Sequence, residues 1–226
     1  MKNQTFDKPV VNWQQIDTVL LDMDGTLLDL YFDNFFWRTH LPRRYAEAHG
    51  LSEVAALAWL QKRFAEEYGK LNWYCLDFWQ EELMLDIVAL KREVSHLIAM
   101  RPHSAAFLDA LTAAGKSIWL VTNAHMDSVN LKLEHTPLAQ WMHRIVSSHQ
   151  LGAAKESQKF WQALQALHPF DVARTLFVDD TATVLNAAHT YGIQHLLCIS
   201  HPDSSESPRT VSEFPAITDF DQVLPL

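Results

Sequence analysis

The run Val19-Leu20-Leu21-Asp22-Met23-Asp24-Gly25-Thr26-Leu27-Leu28-Asp29 constrains this chain more than any other stretch. Its apolar lead is too short for a helix, and it delivers two carboxylates, spaced two apart, into a glycine turn. An α/β enzyme presents reactive groups in this way at the carboxyl end of a strand. A first strand over 17–21 is expected, with Asp22 at its tip, and the rest of the chain can be read for what it supplies to Asp22 and Asp24.

Four further short runs, 117–121, 144–148, 175–178 and 195–199, are rich in β-branched or aromatic residues and are followed by polar or small ones. The segments between them carry helical spacing. Phe107, Leu108 and Leu111 share a face closed by Gly115. Phe160, Leu164 and Leu167 share another before Pro169, and Val184, Leu185 and Ala188 a third before Gly192. Strands alternating with amphipathic helices predict an α/β, doubly wound domain on a parallel sheet.

The gap between the first and second strands is far longer than the dozen or so residues a crossover needs. From Asn34 to about Ala99 the pattern is almost all helical, with stops at Gly50 and Gly69 and an expected capping box at Asp77 and Gln80. The spacing therefore predicts a core of residues 1–33 and 100–226 and an inserted helical subdomain, 34–99, over the strand tips. Aromatics concentrate there, and most are expected to form its own small core. The segment Leu71-Asn72-Trp73-Tyr74-Cys75-Leu76 mixes amide, indole and phenol between helices, and is the expected substrate-facing loop.

The 226 residues suffice for one α/β domain plus that insertion. A net charge of −9 with no basic stripe argues against a nucleic-acid polymer or an anionic membrane as partner. The amino terminus carries no apolar secretion signal, and no apolar run reaches the length of a membrane span. Cys75 and Cys198 offer neither a disulfide framework nor a zinc spacing, so two reduced thiols and a cytoplasmic location are expected. The oligomeric state stays open between monomer and homodimer. Among the 12 histidines, His103, His125 and His135 fit no tight zinc motif and are read as surface or core residues. His125 follows Asn123-Ala124 at a strand tip and is a candidate to line the site mouth.

Four features fall at four expected strand ends or in the loops that follow: Asp22 and Asp24, then Thr122-Asn123, then Lys155 beyond the third strand, then Asp179-Asp180. Singly each has an ordinary explanation, as a turn, a helix start, a solvated lysine and a helix cap. Together, DMDGT, LVTNA, the isolated lysine and FVDD resemble, in order, the four motifs of the haloacid dehalogenase (HAD) superfamily.

That resemblance implies a Rossmann-like core with a helical, C1-type cap inserted after the first motif, and a Mg2+-dependent phosphoryl transfer. Asp22 would be the nucleophile and Asp24 the general acid, then general base. Thr122, the amide of Asn123 and the Lys155 ammonium would cradle the phosphate. Asp22, the backbone carbonyl of Asp24 and Asp180 would hold magnesium, with Asp179 reaching it through water. An acid usual four residues after Asp180 is replaced by Val184, and Lys155 precedes Glu156 where proline is common.

A closer resemblance, carried by DTVLLDMDGTLLDL, FDNFFW, LNWYCLDFW, TNAH, LKLEHT and HPDS, is to the bacterial GMP/IMP 5′-nucleotidases of that superfamily. It implies a purine nucleoside monophosphate as substrate. A purine needs an aromatic surface to stack on and polar groups to read its edge, so Trp37, Asn72, Trp73 and Tyr74 are the candidate base contacts. The alternatives are a sugar-phosphate phosphatase or phosphoglucomutase-like enzyme and, outside catalysis, a binding module that keeps only the fold.

Overall fold

The computed structural model describes residues 10–226. Six parallel strands form one sheet: β1 (Thr18–Leu21), β2 (Ser117–Thr122), β3 (Arg144–Ser147), β4 (Thr175–Asp179), β5 (His195–Ile199) and β6 (Ala216–Ile217), in the order β3-β2-β1-β4-β5-β6. Five match the expected runs to within a residue at each end. The sixth has two residues, too few to leave a periodic signal.

Helices run between the strands. Residues Tyr31–Phe35 form α1, which passes through a π-helical stretch, Phe36–His40, into α2 (Leu41–His49). Then come α3 (Glu53–Glu67), α4 (Leu76–Leu83), α5 (Ile87–Glu93) and α6 (Ser104–Ala113). The chain continues through α7 (Met126–His135), α8 (Ser148–Leu151), α9 (Gln158–Leu167) and α10 (Ala182–Tyr191). Among the described residues, no helix is long and apolar enough to cross a membrane.

The sheet is covered on both faces, which is why its strands read as continuous apolar runs. Val19 and Leu21 join Phe107, Leu108 and Leu111 of α6 and Val129 of α7 in one buried cluster. Leu20 points the other way, to Phe160, Trp161 and Leu164 of α9 and to Val184, Leu185 and Ala188 of α10. Each of these large side chains contributes about 1.5–3 kcal/mol by leaving water. One expected member is missing: Leu167 is 57% exposed, because α9 ends on it. Trp161, fully buried, fills the stripe instead.

The segment between β1 and β2 has a third cluster of its own. Phe32, Phe36, Leu41, Leu60, Trp79 and Ile87 are buried together, with edge-on aromatic pairs such as Phe64–Trp79 at 5.0 Å. Gly50 ends α2 in the left-handed conformation, as expected. The capping box at Asp77 and Gln80 does not form. Cys75 takes the cap position with extended backbone, and Asp77 falls inside the first turn, where its charge suits the positive helix end. The expected loop 71–76 is a 3-10 turn, Leu71–Tyr74, running into α4.

Register sets up the site. Leu21 pairs with Leu120 of β2 and with Val178 of β4. The next residue of each strand, Asp22 and Asp179 among them, therefore emerges at the same level at the carboxyl edge. Gly25 then turns the chain with φ +83°, and a β-carbon there would meet Asp180 Cγ and Pro202 Cβ at 2.9 Å. Only glycine fits both the backbone and the space.

Candidate active site

Asp22 is 6% exposed, and its backbone N–H donates to Val178 O across the strand tips. Lys155 is buried beside it. Its Nζ donates to Asp22 Oδ1 at 2.5 Å, to Asp179 Oδ2 at 2.7 Å and to Val121 O at 3.2 Å. The lysine is held at both ends of its peptide: its N–H donates to Asn123 Oδ1 (2.9 Å), and its carbonyl accepts from Trp161 Nε1 (2.8 Å).

Asp179 also accepts from the Thr181 N–H at 2.8 Å, and Asp180 accepts from Thr181 Oγ1 and, at 3.3 Å, from Arg209. Oxygens of Asp22, Asp179 and Asp180 lie within 4.8 Å of one another. Three acids this close and this buried resist ionisation. Burial, moderated by Lys155 and reinforced by Asp179, raises Asp22 to about 6. Burial and the neighbouring carboxylates bring Asp179 and Asp180 to about 6 as well.

Asp24 stands in a separate network. Its Oδ1 accepts from Lys132 Nζ at 2.6 Å, and the same ammonium donates to Asp33 Oδ2 at 2.6 Å. Asp33 Oδ1 accepts from Lys91 Nζ at 2.7 Å. Both lysines are 1% exposed, and Lys91 lies over the rings of Phe32, Phe36 and Trp37 at 4.8–5.6 Å. Burial raises Asp24 to about 6, with Lys132 pulling down and Asp33 and Asp22 pushing up. For Asp33, burial is outweighed by Lys132 and Lys91, which hold it well below the usual carboxylate range. The same two acids outweigh burial at Lys132 and raise it, whereas burial prevails at Lys91 and lowers it.

These groups floor a cavity of about 760 Å³, within the usual range for a small-molecule site. Thr122, Asn123 and His125 line it from the core side, and Trp37, Phe64, Tyr68, Trp73, Tyr74 and Trp79 from the insertion. Asn34, Arg38 and Gln61 add polar groups to that wall.

Of the candidates from the sequence, Asp22, Asp24, Thr122, Asn123, Lys155, Asp179 and Asp180 come together around the floor. Trp37, Trp73, Tyr74 and His125 also border the cavity. Asn72 does not: it is exposed, and its Nδ2 reaches back to Glu67 Oε2 at 3.3 Å.

Glu156, the departure from the usual proline, accepts from Tyr74 Oη at 2.6 Å and from Asn123 Nδ2 at 3.0 Å. It thereby joins the insertion to the loop after β2. Burial and the Glu156 carboxylate push the Tyr74 hydroxyl upward, so it stays a donor.

Sequence reasoning missed Asp33, Lys91, Lys132 and Arg209. Two of them left a signal. Lys91 lies four residues after buried Ile87, and Lys132 three after buried Val129, so both occupy apolar stripes where a lysine needs a buried partner.

The model of the family described as haloacid dehalogenase-like hydrolase matches residues 16–192. The chain belongs to the haloacid dehalogenase-like hydrolases. The match spans all the strand-tip residues just described. A protein of Escherichia coli (strain K12) named GMP/IMP nucleotidase YrfG is 39% identical over 215 residues, covering 95% of this chain and 97% of that one.

Solved structures of other such hydrolases share the fold. A HAD phosphatase from Thermococcus onnurineus superposes with a TM-score of 0.73 at 18% identity, over 89% of this chain and 93% of that one. The HAD-hydrolase YfnB from Bacillus subtilis, in a structure bound to magnesium, gives 0.61 at 16% identity, over 92% and 96%.

Proposed function

We propose that the chain is a magnesium-dependent phosphatase that hydrolyses purine nucleoside 5′-monophosphates, GMP and IMP among them, through an aspartyl-phosphate on Asp22. The chemistry is carried by one observation: Asp22 and Asp24 share a cavity floor but answer to different lysines. The substrate is supported by the 39% identity to a protein named for GMP and IMP and by the aromatic wall facing the floor. In this reading residues 34–99 act as the cap. Two unpaired cysteines suit a reducing, cytoplasmic setting.

The donor set fits magnesium. Asp22, Asp179 and Asp180 offer hard carboxylate oxygens within 4.8 Å of one another, the ligand type this ion prefers. Asp22, Asp180 and the Asp24 carbonyl would hold it, with Asp179, whose oxygens already serve Lys155 and Thr181, one water further out. Bound there, the ion would supply positive charge to the phosphoryl oxygens and favour the ionised form of Asp22.

The side chains do the rest. Lys155, fixed by Asn123 and Trp161, orients Asp22 and balances charge as the dianion approaches. An Asp22 oxygen attacks phosphorus, the bond to the nucleoside 5′ oxygen breaks, and Asp24 gives that oxygen its proton. Asp24, now ionised and steadied by Lys132, takes a proton from the water that attacks the aspartyl-phosphate. Phosphate leaves and Asp22 is restored. With a pKa of about 6, roughly a tenth of Asp24 carries its proton at pH 7, so it can serve in both directions.

The test is phosphate release from GMP, IMP, AMP and hexose phosphates, with and without Mg2+, beside Asp22→Asn. The purine 5′-monophosphates are expected to be preferred, with Mg2+ required and the variant inactive. Faster turnover of hexose phosphates would replace the substrate assignment. Metal-independent release, or full activity of the variant, would overturn the mechanism.

A further inference from the structure

Around His125, which lines the cavity, lies a group of different chemistry. Cys75 caps α4 in the insertion, His125 caps α7 after β2, and His149 lies in α8. Their ligand-type atoms all lie within 4.8 Å of one another, and the two imidazoles meet edge-on with centroids 4.9 Å apart. His149 Nε2 is buried without a hydrogen-bond partner, a state that costs about 1–3 kcal/mol unless something fills it.

We propose that Cys75, His125 and His149 form a binding site for a zinc-class transition metal that ties the helical insertion to the core. A tetrahedral ion bonds such atoms at about 2.0–2.3 Å, and the three stand close enough together to be gathered round one ion. His125 Nε2 faces Asp77 Oδ2 across 3.5 Å, which offers a fourth donor from the insertion. His125 Nδ1 accepts from the Asp127 N–H at 3.4 Å; with a metal on Nε2 it would carry the proton instead and donate to Asp127 Oδ2, 3.5 Å away, as carboxylates do for ligating histidines elsewhere.

Chain order hides the set, because its ligands come from three separate segments and no short motif spans them. Ligand type then sorts the metals. Thiolate and imidazole select zinc-class ions, whereas the Asp22, Asp179 and Asp180 oxygens select magnesium. A metal at Cys75 bonds insertion to core beside the Tyr74–Glu156 contact. It therefore holds the mouth closed and slows exchange of substrate.

Co2+ is the direct probe, added to the full chain in excess Mg2+ so that the carboxylates are occupied. The expected result is one equivalent of Co2+ with a thiolate charge-transfer band in the near ultraviolet. Cys75→Ser and His149→Gln should each abolish the band, while Cys198→Ser should keep it. Phosphate release without transition metal, unchanged in Cys75→Ser and His149→Gln, establishes that both variants are folded. Co2+ bound with no thiolate band, no binding at all, or a band that survives in both variants would each overturn the proposal. These outcomes do not depend on which phosphate ester the enzyme hydrolyses.

Discussion

The Asp22 and Asp24 clusters adjoin on one cavity floor, yet they are balanced differently. Around Asp22, Lys155 is the one buried ammonium among the described residues and faces the carboxylates of Asp22, Asp179 and Asp180, with exposed Arg209 at the rim. Around Asp24, Lys91 and Lys132 face Asp24 and Asp33 in alternation. The first cluster is short of positive charge, which the proposed magnesium ion would supply. The second is self-compensated and fixes one proton-carrying carboxyl. In the proposed mechanism, a nucleophile that needs a metal and a proton shuttle that must avoid one would thus be separated by where the lysines are placed.

Exchanging the two lysines for apolar residues breaks the comparison most severely. Lys155→Met should lower turnover by at least about 10²–10³-fold, because charge stabilisation at the phosphate is lost. Lys132→Met should retain more activity and fail in another way. Lys132 lowers Asp24, so without it the Asp24 pKa rises further, and the alkaline limb of kcat/KM moves to higher pH. Breaking a buried pair costs about 3–5 kcal/mol. An acid raised in the folded state loses stability as pH rises through its folded pKa. The destabilisation should therefore be smaller at pH 5.5 than at pH 8, as read by denaturant titration.

Asp180→Asn sharpens the comparison from the other side. Asp180 is raised to about 6 by burial and Asp22, so its penalty in the metal-free parent develops as pH climbs from about 4 to 6. Removing that charge should stabilise the metal-free protein at pH 7 by about 1–3 kcal/mol, while abolishing the stabilisation Mg2+ gives the parent. Calorimetry at pH 4.5 and 7 separates the two, with the larger gain at the higher pH.

The wall supplied by the insertion gives smaller effects. Trp73→Ala should raise KM for GMP by about 1–3 kcal/mol of lost stacking, and that for a small phosphate ester much less. Equal effects on both would remove Trp73 from base contact. Tyr74→Phe, which loses the hydroxyl donated to Glu156, should cost about 1 kcal/mol, seen in KM rather than in kcat.

The same contrast explains what could be read from the chain alone. The carboxylates of the Asp22 cluster were legible because each sits at or just beyond a strand tip. Parallel register then brings Asp22 beside Asp179 whatever the rest of the molecule does. The Asp24 network was not, because Lys91 comes from the insertion and Lys132 from a core helix, and their meeting depends on how those helices pack. Asn72 falls outside the cavity lining for a related reason: in a 3-10 turn, Trp73 and Tyr74 border the cavity while Asn72 turns back to Glu67. The two-residue strand β6 and the Arg209 contact lie in a stretch without periodicity, and nothing in their spacing marked them.

The unequal roles of Asp22 and Asp24 can be tested in one measurement. Asp24→Asn is mixed with Mg2+ and p-nitrophenyl phosphate, whose leaving group departs without an acid, then quenched and digested for mass spectrometry. Formation of the covalent intermediate proceeds, but the base for its hydrolysis is missing. The account predicts a phosphoryl group accumulating on the peptide that contains Asp22. A phosphoryl group on another residue, or steady release of phosphate with no phosphorylated peptide, would contradict it.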